Sequence, residues 1–251
     1  MTGRIDIVGL GPGDLALRTP QAQAALADAT DLVGYGPYLD RVATGAHQRR
    51  HQSDNREEIE RARHALEMAA AGLRVAVVSS GDAGVFAMAS AVFEAIEAGP
   101  AAYRALDVSV LPGISAMFAV AARLGAPLGH DFCAISLSDN LKPWALVERR
   151  LRLSAEAGFV MALYNARSRA RPHQLGQALE ILRGVLPAET TVVFATAVTQ
   201  ADERIDITDL GSADPLRADM RTLVLIGTGD TRRIEREASR PWIYTRRSAL
   251  P

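Results

Sequence analysis

The sequence predicts an α/β protein built as two domains, and three observations carry that expectation. Short apolar runs of strand character alternate with helical patterns through the first half, the arrangement that produces a largely parallel sheet. "LPGISA" then interrupts the alternation with Pro112 and Gly113. Beyond it, "TTVVFAT", "RIDITDL" and "RTLVLIG" follow one another with no long helix between them, which predicts a mixed sheet ending in hairpins. The boundary falls at this interruption, giving domains of residues 1–114 and 115–251.

"IDIVGL" is the first strand, and the alanine-rich "PQAQAALADA" is the helix after it. The second strand is Asp31-Leu32-Val33-Gly34-Tyr35. Asp54 is a capping residue with Glu57 three positions later, the start signal of the next helix. Ile59, Ala62, Leu66 and Ala69 make one apolar stripe along it, and Gly72 stops it. "LRVAVVS" is a continuous apolar run, suited to a central strand covered on both faces. A helix from about Val85 to Ala98 and the strand "DVSVL" complete the first domain. The second opens with the small-residue helix "SAMFAVAARLG". "FCAISL", a helix from about Trp144, "FVMALY" and a helix from Pro172 to about Gly184 follow it. The basic tail from Arg232 to Arg247, with Trp242 and Tyr244, reads as a surface packing element, with a lid as the alternative.

The chain has 251 residues, 48% hydrophobic and 23% charged, enough for one large core or two smaller ones. A formal net charge of −1 argues against nucleic acid, whose phosphates demand a basic face. The single cysteine, Cys133, excludes internal disulfides and a cysteine-rich metal site and fits a reducing cytoplasm. No charged leader with an apolar run precedes "RIDIVGLG", so no signal peptide is expected. The most apolar stretch, Ile114 to Leu128, is cut by Arg123 and Pro127. It is too short for a bilayer crossing of about 20 residues, so no membrane association is expected.

The loop Val8-Gly9-Leu10-Gly11-Pro12-Gly13-Asp14 follows a strand, where glycines let backbone approach a ligand. A dinucleotide fingerprint needs a third glycine where Asp14 stands and an acid at the end of the second strand, whereas Asp31 stands at its start. A phosphate-cradling loop needs Gly-Lys-Ser/Thr, and the only lysine is Lys142. The loop is therefore built for a ligand that is not a phosphate.

Four more strand ends carry small or polar residues, and strand carboxyl ends are where α/β sheets hold ligands. "VVSSGDAGVFAMA" offers Ser79, Ser80, Gly81 and Asp82. "VLPGISA" places Ser115 and Ala116 at a helix N-terminus, with free backbone N–H groups. "MALYNARSRAR" offers Tyr164 and Asn165 with Arg167, Arg169 and Arg171. "TLVLIGTGDTRR" offers Thr228 and Gly229. Each has a plainer reading: Gly-Asp as a turn, Ser115 as an N-cap, Asp14 bonded to its own turn, His130 structural, the arginines a solvated face.

Taken in order, "VGLGPGD", "SSGDAGVFAMA", "LPGISA", "LYNARSRAR" and "TLVLIGTG" resemble, along essentially the whole chain, the tetrapyrrole methylase family of S-adenosylmethionine-dependent enzymes. "HDFCAISLSDNLKPW" and "YNARSRAR" are most similar to the family's members in cobalamin biosynthesis that methylate a precorrin carbon and contract its ring. Ala83 stands where the family's second motif has proline. The resemblance implies a two-domain α/β enzyme with the cofactor cleft between the domains, and usually a homodimer. The first domain would form the substrate side of the cleft and the second the donor-binding side. It implies that Pro12, Ser80, Gly81, Asp82, Val85, Ser115 and Ala116 meet the methyl donor, S-adenosyl-L-methionine. Tyr164, Ala197 and Thr222 would hold its adenine and ribose.

Methyl transfer from a sulfonium to an enamine-like carbon asks mainly for in-line positioning. Ring contraction asks in addition for a proton taken from a macrocycle hydroxyl, for which Asp14, His130, Asp139 and Asn165 are the candidates. Arg167, Arg169 and Arg171 are candidates to clamp the carboxylates of a tetrapyrrole substrate. No protein-bound metal is expected. The same fold acting on a cobalt-containing precorrin or another tetrapyrrole, on ribosomal RNA or a translation factor, or serving as a donor-binding sensor remains an open alternative. Asp14 and the missing ribose acid oppose a nicotinamide-dependent oxidoreductase.

Overall fold

The computed structural model describes residues 3–54 and 57–248. Two compact units divide the chain, Met1–Ser115 and Ala116–Pro251, with the division inside "LPGISA". In the first unit the strands are β1 (Arg4–Gly9), β2 (Asp31–Tyr35), β3 (Arg49–Ser53), β4 (Arg74–Ser79) and β5 (Asp107–Leu111). Its helices are α1 (Pro20–Asp28), the single turn α2 (Gly36–Leu39), α3 (Glu58–Ala70) and α4 (Met88–Ala98). The strands lie in the order β3-β2-β4-β1-β5, and every pair is parallel.

Alternation of side chains explains why the central strands are apolar throughout. Ile5, Ile7, Val75 and Val77 point to one face and pack with Ala62, Leu66 and Ala69 of α3 and Val92 of α4. Their neighbours Val8, Ala76 and Val78 point the other way, onto Ala22, Leu26 and Leu39. Both faces of the sheet are thus covered, as a parallel sheet requires. Gly72, at φ 92°, closes α3. Its N–H reaches Ala69 O at 2.9 Å and Leu73 N–H reaches Met68 O at 3.2 Å, the paired bonds of a Schellman stop.

Three local expectations are corrected. α3 begins at Glu58 with Glu57, not Asp54, at the cap position. Of the expected capping box, the return bond is present, with Asp54 N–H donating to Glu57 Oε2 at 3.1 Å. α4 begins at Met88 rather than Val85, because Phe86 takes a left-handed φ of 53° and breaks the turn before it. Ser79 Oγ then accepts the Met88 N–H at 3.2 Å, so the side chain ending β4 caps α4. The third helix of the second half starts at Gln174, two residues after Pro172.

β3 was not expected from its polar "RRHQS". It is an edge strand, and edges need no continuous apolar face. Its His51 serves Asp31, a buried carboxylate 3% exposed at the start of β2. His51 Nε2 lies 2.8 Å from Asp31 Oδ1, Thr30 Oγ1 donates to Oδ2 at 2.7 Å, and His64 Nε2 lies 3.2 Å from His51 Nδ1. Burial pushes the Asp31 carboxyl up, but the bonds from Thr30 and His51 and the charges of His51 and Arg49 outweigh it and hold it below its ordinary value. A depressed folded pKa contributes stability that is present above the unfolded pKa and lost as pH falls through the folded one. Asp31→Asn is therefore expected to cost about 1–3 kcal/mol at pH 7. In denaturant melts the gap from wild type should close as pH drops below the usual carboxylate range.

The second unit contains α5 (Ala116–Leu124), β6 (Gly125–Ala126), β7 (Phe132–Ser136), α6 (Trp144–Glu156), β8 (Val160–Tyr164) and α7 (Gln174–Arg183). After these come β9 (Thr191–Thr196), β10 (Arg204–Asp209), β11 (Thr222–Ile226), β12 (Thr231–Arg236) and β13 (Ser239–Thr245). The main sheet runs β10-β9-β11-β8-β7, with β7 and β8 parallel and every other pair antiparallel, a mixed sheet as expected. Met161, Leu163, Phe194, Val224 and Ile226 meet Val147 and Leu151 of α6 and Leu175, Leu179 and Leu182 of α7. α5 packs against β11 and β13.

The basic tail forms a hairpin, β12 with β13, which pairs with β6 in a third sheet. Arg233 bonds Asp209 at 2.7 Å, and Arg236 stacks 4.4 Å from the Trp242 ring centroid. Among the described residues, no helix is long and apolar enough to cross a membrane, and no group of three His, Cys, Asp or Glu side chains is placed to hold a metal ion.

Candidate active site

In the first unit the carboxyl ends of β1, β4 and β5 converge. Gly11 and Gly81 exchange both backbone bonds, Gly11 N–H to Gly81 O at 3.0 Å and Gly81 N–H to Gly11 O at 2.9 Å. Both sit at left-handed φ, 73° and 65°. A Cβ on Gly113 would come within 2.2 Å of Gly81 O, and one on Gly9 within 2.7 Å of Gly113 N. The glycines therefore hold three loops against one another, backbone on backbone. That role is distinct from admitting a ligand, and no single loop's sequence discloses it.

The polar residues of these loops are largely engaged in the same task. Asp82 Oδ1 accepts the Gly84 N–H at 2.8 Å and Oδ2 accepts the Gly113 N–H at 2.9 Å, tying the loop after β4 to the loop after β5. Asp14 is exposed and caps a short 3-10 turn, its Oδ1 accepting Ala16 N–H at 2.9 Å. Pro12 and Ser115 are buried, while Val85 is half-buried and bonds its N–H to Asp82 O at 3.3 Å. Arg41 was missed by sequence reasoning. Its Nη1 donates to Ser80 Oγ at 3.0 Å and its Nη2 to Gly11 O at 2.8 Å, so one side chain rivets the glycine-rich loop to the loop after β4. No motif marks it, because its partners lie 30 and 39 residues away.

In the second unit the carboxyl ends of β7 and β8 lie side by side, with Ser136 paired to Tyr164. Tyr164 OH accepts the N–H of Met117, in the first turn of α5 beside Ala116, at 3.1 Å. Asn165 Nδ2 donates to Ser136 Oγ at 2.9 Å from a left-handed backbone of φ 55°. Ala197, just beyond β9, has φ 51°. Strained backbone in non-glycine residues persists where surrounding structure imposes it, and it gathers at functional sites. The Thr222 hydroxyl lies 2.8 Å from Thr196 Oγ1, accepts Asp219 N–H at 2.9 Å and meets Asp219 Oδ1 at 3.0 Å. That hydroxyl is saturated and buried, and the Thr222 backbone N–H donates to Asp219 O at 3.3 Å.

Asp139 lies in the loop after β7 and accepts Gln174 Nε2–H at 3.1 Å. Arg167 and Arg171 are half-buried in the loop after β8, with Arg167 Nε and Arg171 Nη1 buried and unbonded; Arg169 is exposed. Lys142 belongs to this locus. Burial pushes its ammonium pKa down, the charges of Arg150 and Arg171 push the same way, and Asp139 opposes them. His130 is separate. It precedes the amino end of β7, its Nδ1 accepting Asp131 N–H at 2.8 Å, and the whole length of β7, about 13 Å, lies between it and Ser136. The structure thus sets Asp139 and Arg171 about Lys142, and Asn165 against Ser136 at the carboxyl end of β7, with His130 at the opposite end of that strand. Thr228 and Gly229 form the turn into β12, where Thr228 N–H meets Thr231 Oγ1 at 2.9 Å.

Residues 4–214 match the family model for tetrapyrrole (corrin/porphyrin) methylases. A precorrin-3B C(17)-methyltransferase from Sinorhizobium sp is 57% identical over 247 residues, covering 98% of this chain and 97% of that protein. The crystal structure of the methyltransferase CobJ superposes with a TM-score of 0.93 at 54% identity, covering 97% of this chain and all of that one. A uroporphyrin-III C-methyltransferase from Thermus thermophilus, complexed with S-adenosyl homocysteine, has a TM-score of 0.68 at 21% identity over 90% of this chain and 97% of that one, a likeness of fold. With its two α/β units, its loops gathered at strand carboxyl ends and this match along most of its length, the chain belongs to the tetrapyrrole methylase family.

Proposed function

We propose that this protein is an S-adenosylmethionine-dependent C-methyltransferase that methylates precorrin-3B at carbon 17 and contracts its ring to precorrin-4 in cobalamin biosynthesis. The observation that carries the reading is the 57% identity to a precorrin-3B C(17)-methyltransferase over 98% of the chain. We further propose a homodimer located in the cytoplasm, with no resident metal.

The donor, when bound, supplies a methyl group already activated on a sulfonium. The residues present suit such a group: carboxylates and hydroxyls stand at the strand ends, and no phosphate loop is among them. In this reading Pro12, Ser80, Gly81, Asp82 and Val85, with Ser115 and Ala116, receive the methionine part. The α5 N-terminus favours a carboxylate there. Tyr164 fixes the first turn of α5 through its bond to Met117, and Ala197 and Thr222 contribute backbone to the nucleoside side. Arg167 and Arg171, whose buried N–H groups include unbonded ones, hold substrate carboxylates, with Arg169 at the exposed rim. Asp14 is the proposed base for the macrocycle hydroxyl. Asn165 has no proton to exchange near neutral pH and acts as a donor; Asp139, already bound to Gln174, is the second acid–base candidate.

An anaerobic single-turnover assay with methyl-labelled S-adenosylmethionine and precorrin-3B tests this. The expected product gains the mass of one methyl and a spectrum that demands a new ring skeleton. Turnover of a cobalt-containing macrocycle with none of the metal-free one moves the substrate to the cobalt series, and a donor that fails to bind overturns the reading.

A further inference from the structure

Arg18 and Arg41 stand beside the glycine-rich loop with an uncompensated charge. Arg41 is fastened to neutral oxygens, Ser80 Oγ at 3.0 Å and Gly11 O at 2.8 Å. Arg18 donates from Nη2 to Arg41 O at 2.9 Å and from Nη1 to Gln23 Oε1 at 3.1 Å, while its buried Nε–H meets no acceptor. Among the described residues neither guanidinium forms a salt bridge, and the carboxylates nearest in sequence are otherwise bonded. Asp40 pairs with Arg50 at 2.6 Å and Asp14 caps its own turn. Burial lowers the pKa of both arginines, and the charge of Arg18 lowers that of Arg41 further against the opposing effect of Tyr38. Two half-buried cations that repel each other and bond only neutral atoms are a standing cost, which a bound anion removes. Each guanidinium has five N–H donors and keeps some beyond these bonds, in the planar fork that matches a carboxylate.

We propose that Arg18 and Arg41 form a carboxylate-binding subsite beside the glycine-rich loop, which takes a carboxylate side chain of the tetrapyrrole substrate. The substrate part rests on the function proposed above, and the carboxylate chemistry rests on the pair alone.

Two measurements on the full chain test it. In the first, the Arg18 Nε–H resonance, assigned by its loss in Arg18→Gln, is followed by NMR during titration with sodium propionate, with sodium chloride as the control. A saturable shift with propionate and none with chloride is expected, weakened in Arg41→Lys. No propionate-dependent shift overturns the subsite whether or not the enzyme turns over precorrin-3B. In the second, Arg18→Gln is expected to raise KM for precorrin-3B about tenfold, with kcat, melting temperature and S-adenosylhomocysteine affinity unchanged. Arg18→Lys should recover part of the loss. A fall in S-adenosylhomocysteine affinity with KM for precorrin-3B unchanged retains the carboxylate site but assigns it to the donor, overturning the substrate assignment. Wild type that binds propionate but leaves precorrin-3B unmethylated retains the subsite and places the failure on the proposed function.

Discussion

Gly113→Ala is expected to destabilise the first unit by more than about 3 kcal/mol, lowering its melting temperature by roughly 6 °C or more. The added Cβ would stand 2.2 Å from Gly81 O and 2.9 Å from Gly9 C and O, all of them backbone atoms. A flexible side chain can swing aside, but these atoms are fixed by the sheet and by the bonds between Gly11 and Gly81. Relief must come from moving the loop after β5 outward, which stretches the bond from Gly113 N–H to Asp82 Oδ2. S-adenosylhomocysteine affinity should fall with stability, because those loops carry Asp82 and Ser115. Gly229→Ala is the control: a Cβ there meets nothing within 4 Å, so its stability should stay within about 0.5 kcal/mol of wild type. A Gly113→Ala variant as stable as Gly229→Ala in parallel thermal melts would show that the three loops are not packed as described.

Asp14→Asn is expected to slow ring contraction by about a hundredfold or more while leaving fold and donor binding intact. Asp14 has two separable tasks. Its Oδ1 caps the 3-10 turn at Ala16 N–H, and asparagine caps as well as aspartate, so stability should change by only a few tenths of a kcal/mol. Proton transfer is different, because an amide cannot accept the macrocycle proton near neutral pH. Single-turnover spectra with labelled donor separate the steps: methyl mass gained without the spectral change assigns Asp14 to contraction. If contraction keeps its wild-type rate, Asp14 is a turn cap only. Asp139→Asn then becomes the variant expected to lose the step, with the bond to Gln174 retained.

What could be read directly from the sequence was what local pattern encodes. β4 was legible because Val75, Ala76, Val77 and Val78 are an unbroken apolar run buried on alternate faces, and α3 because its stripe and Gly72 stop are contiguous signals. The motifs at the strand ends were legible for the same reason, and they led to the family. β3 was hidden by its polar edge composition, and the start of α4 by Phe86, whose left-handed backbone no propensity announces.

The residue types at the strand ends and the family they spell were therefore determined by the sequence alone. Their partners were decided by the tertiary structure. It set Arg41 across Gly11 and Ser80, turned Asp82 into a tie between two loops, saturated the Thr222 hydroxyl and left His130 at the far end of its strand. Several of these depend on distances between segments tens of residues apart, and such distances exist only once the sheets have set the register.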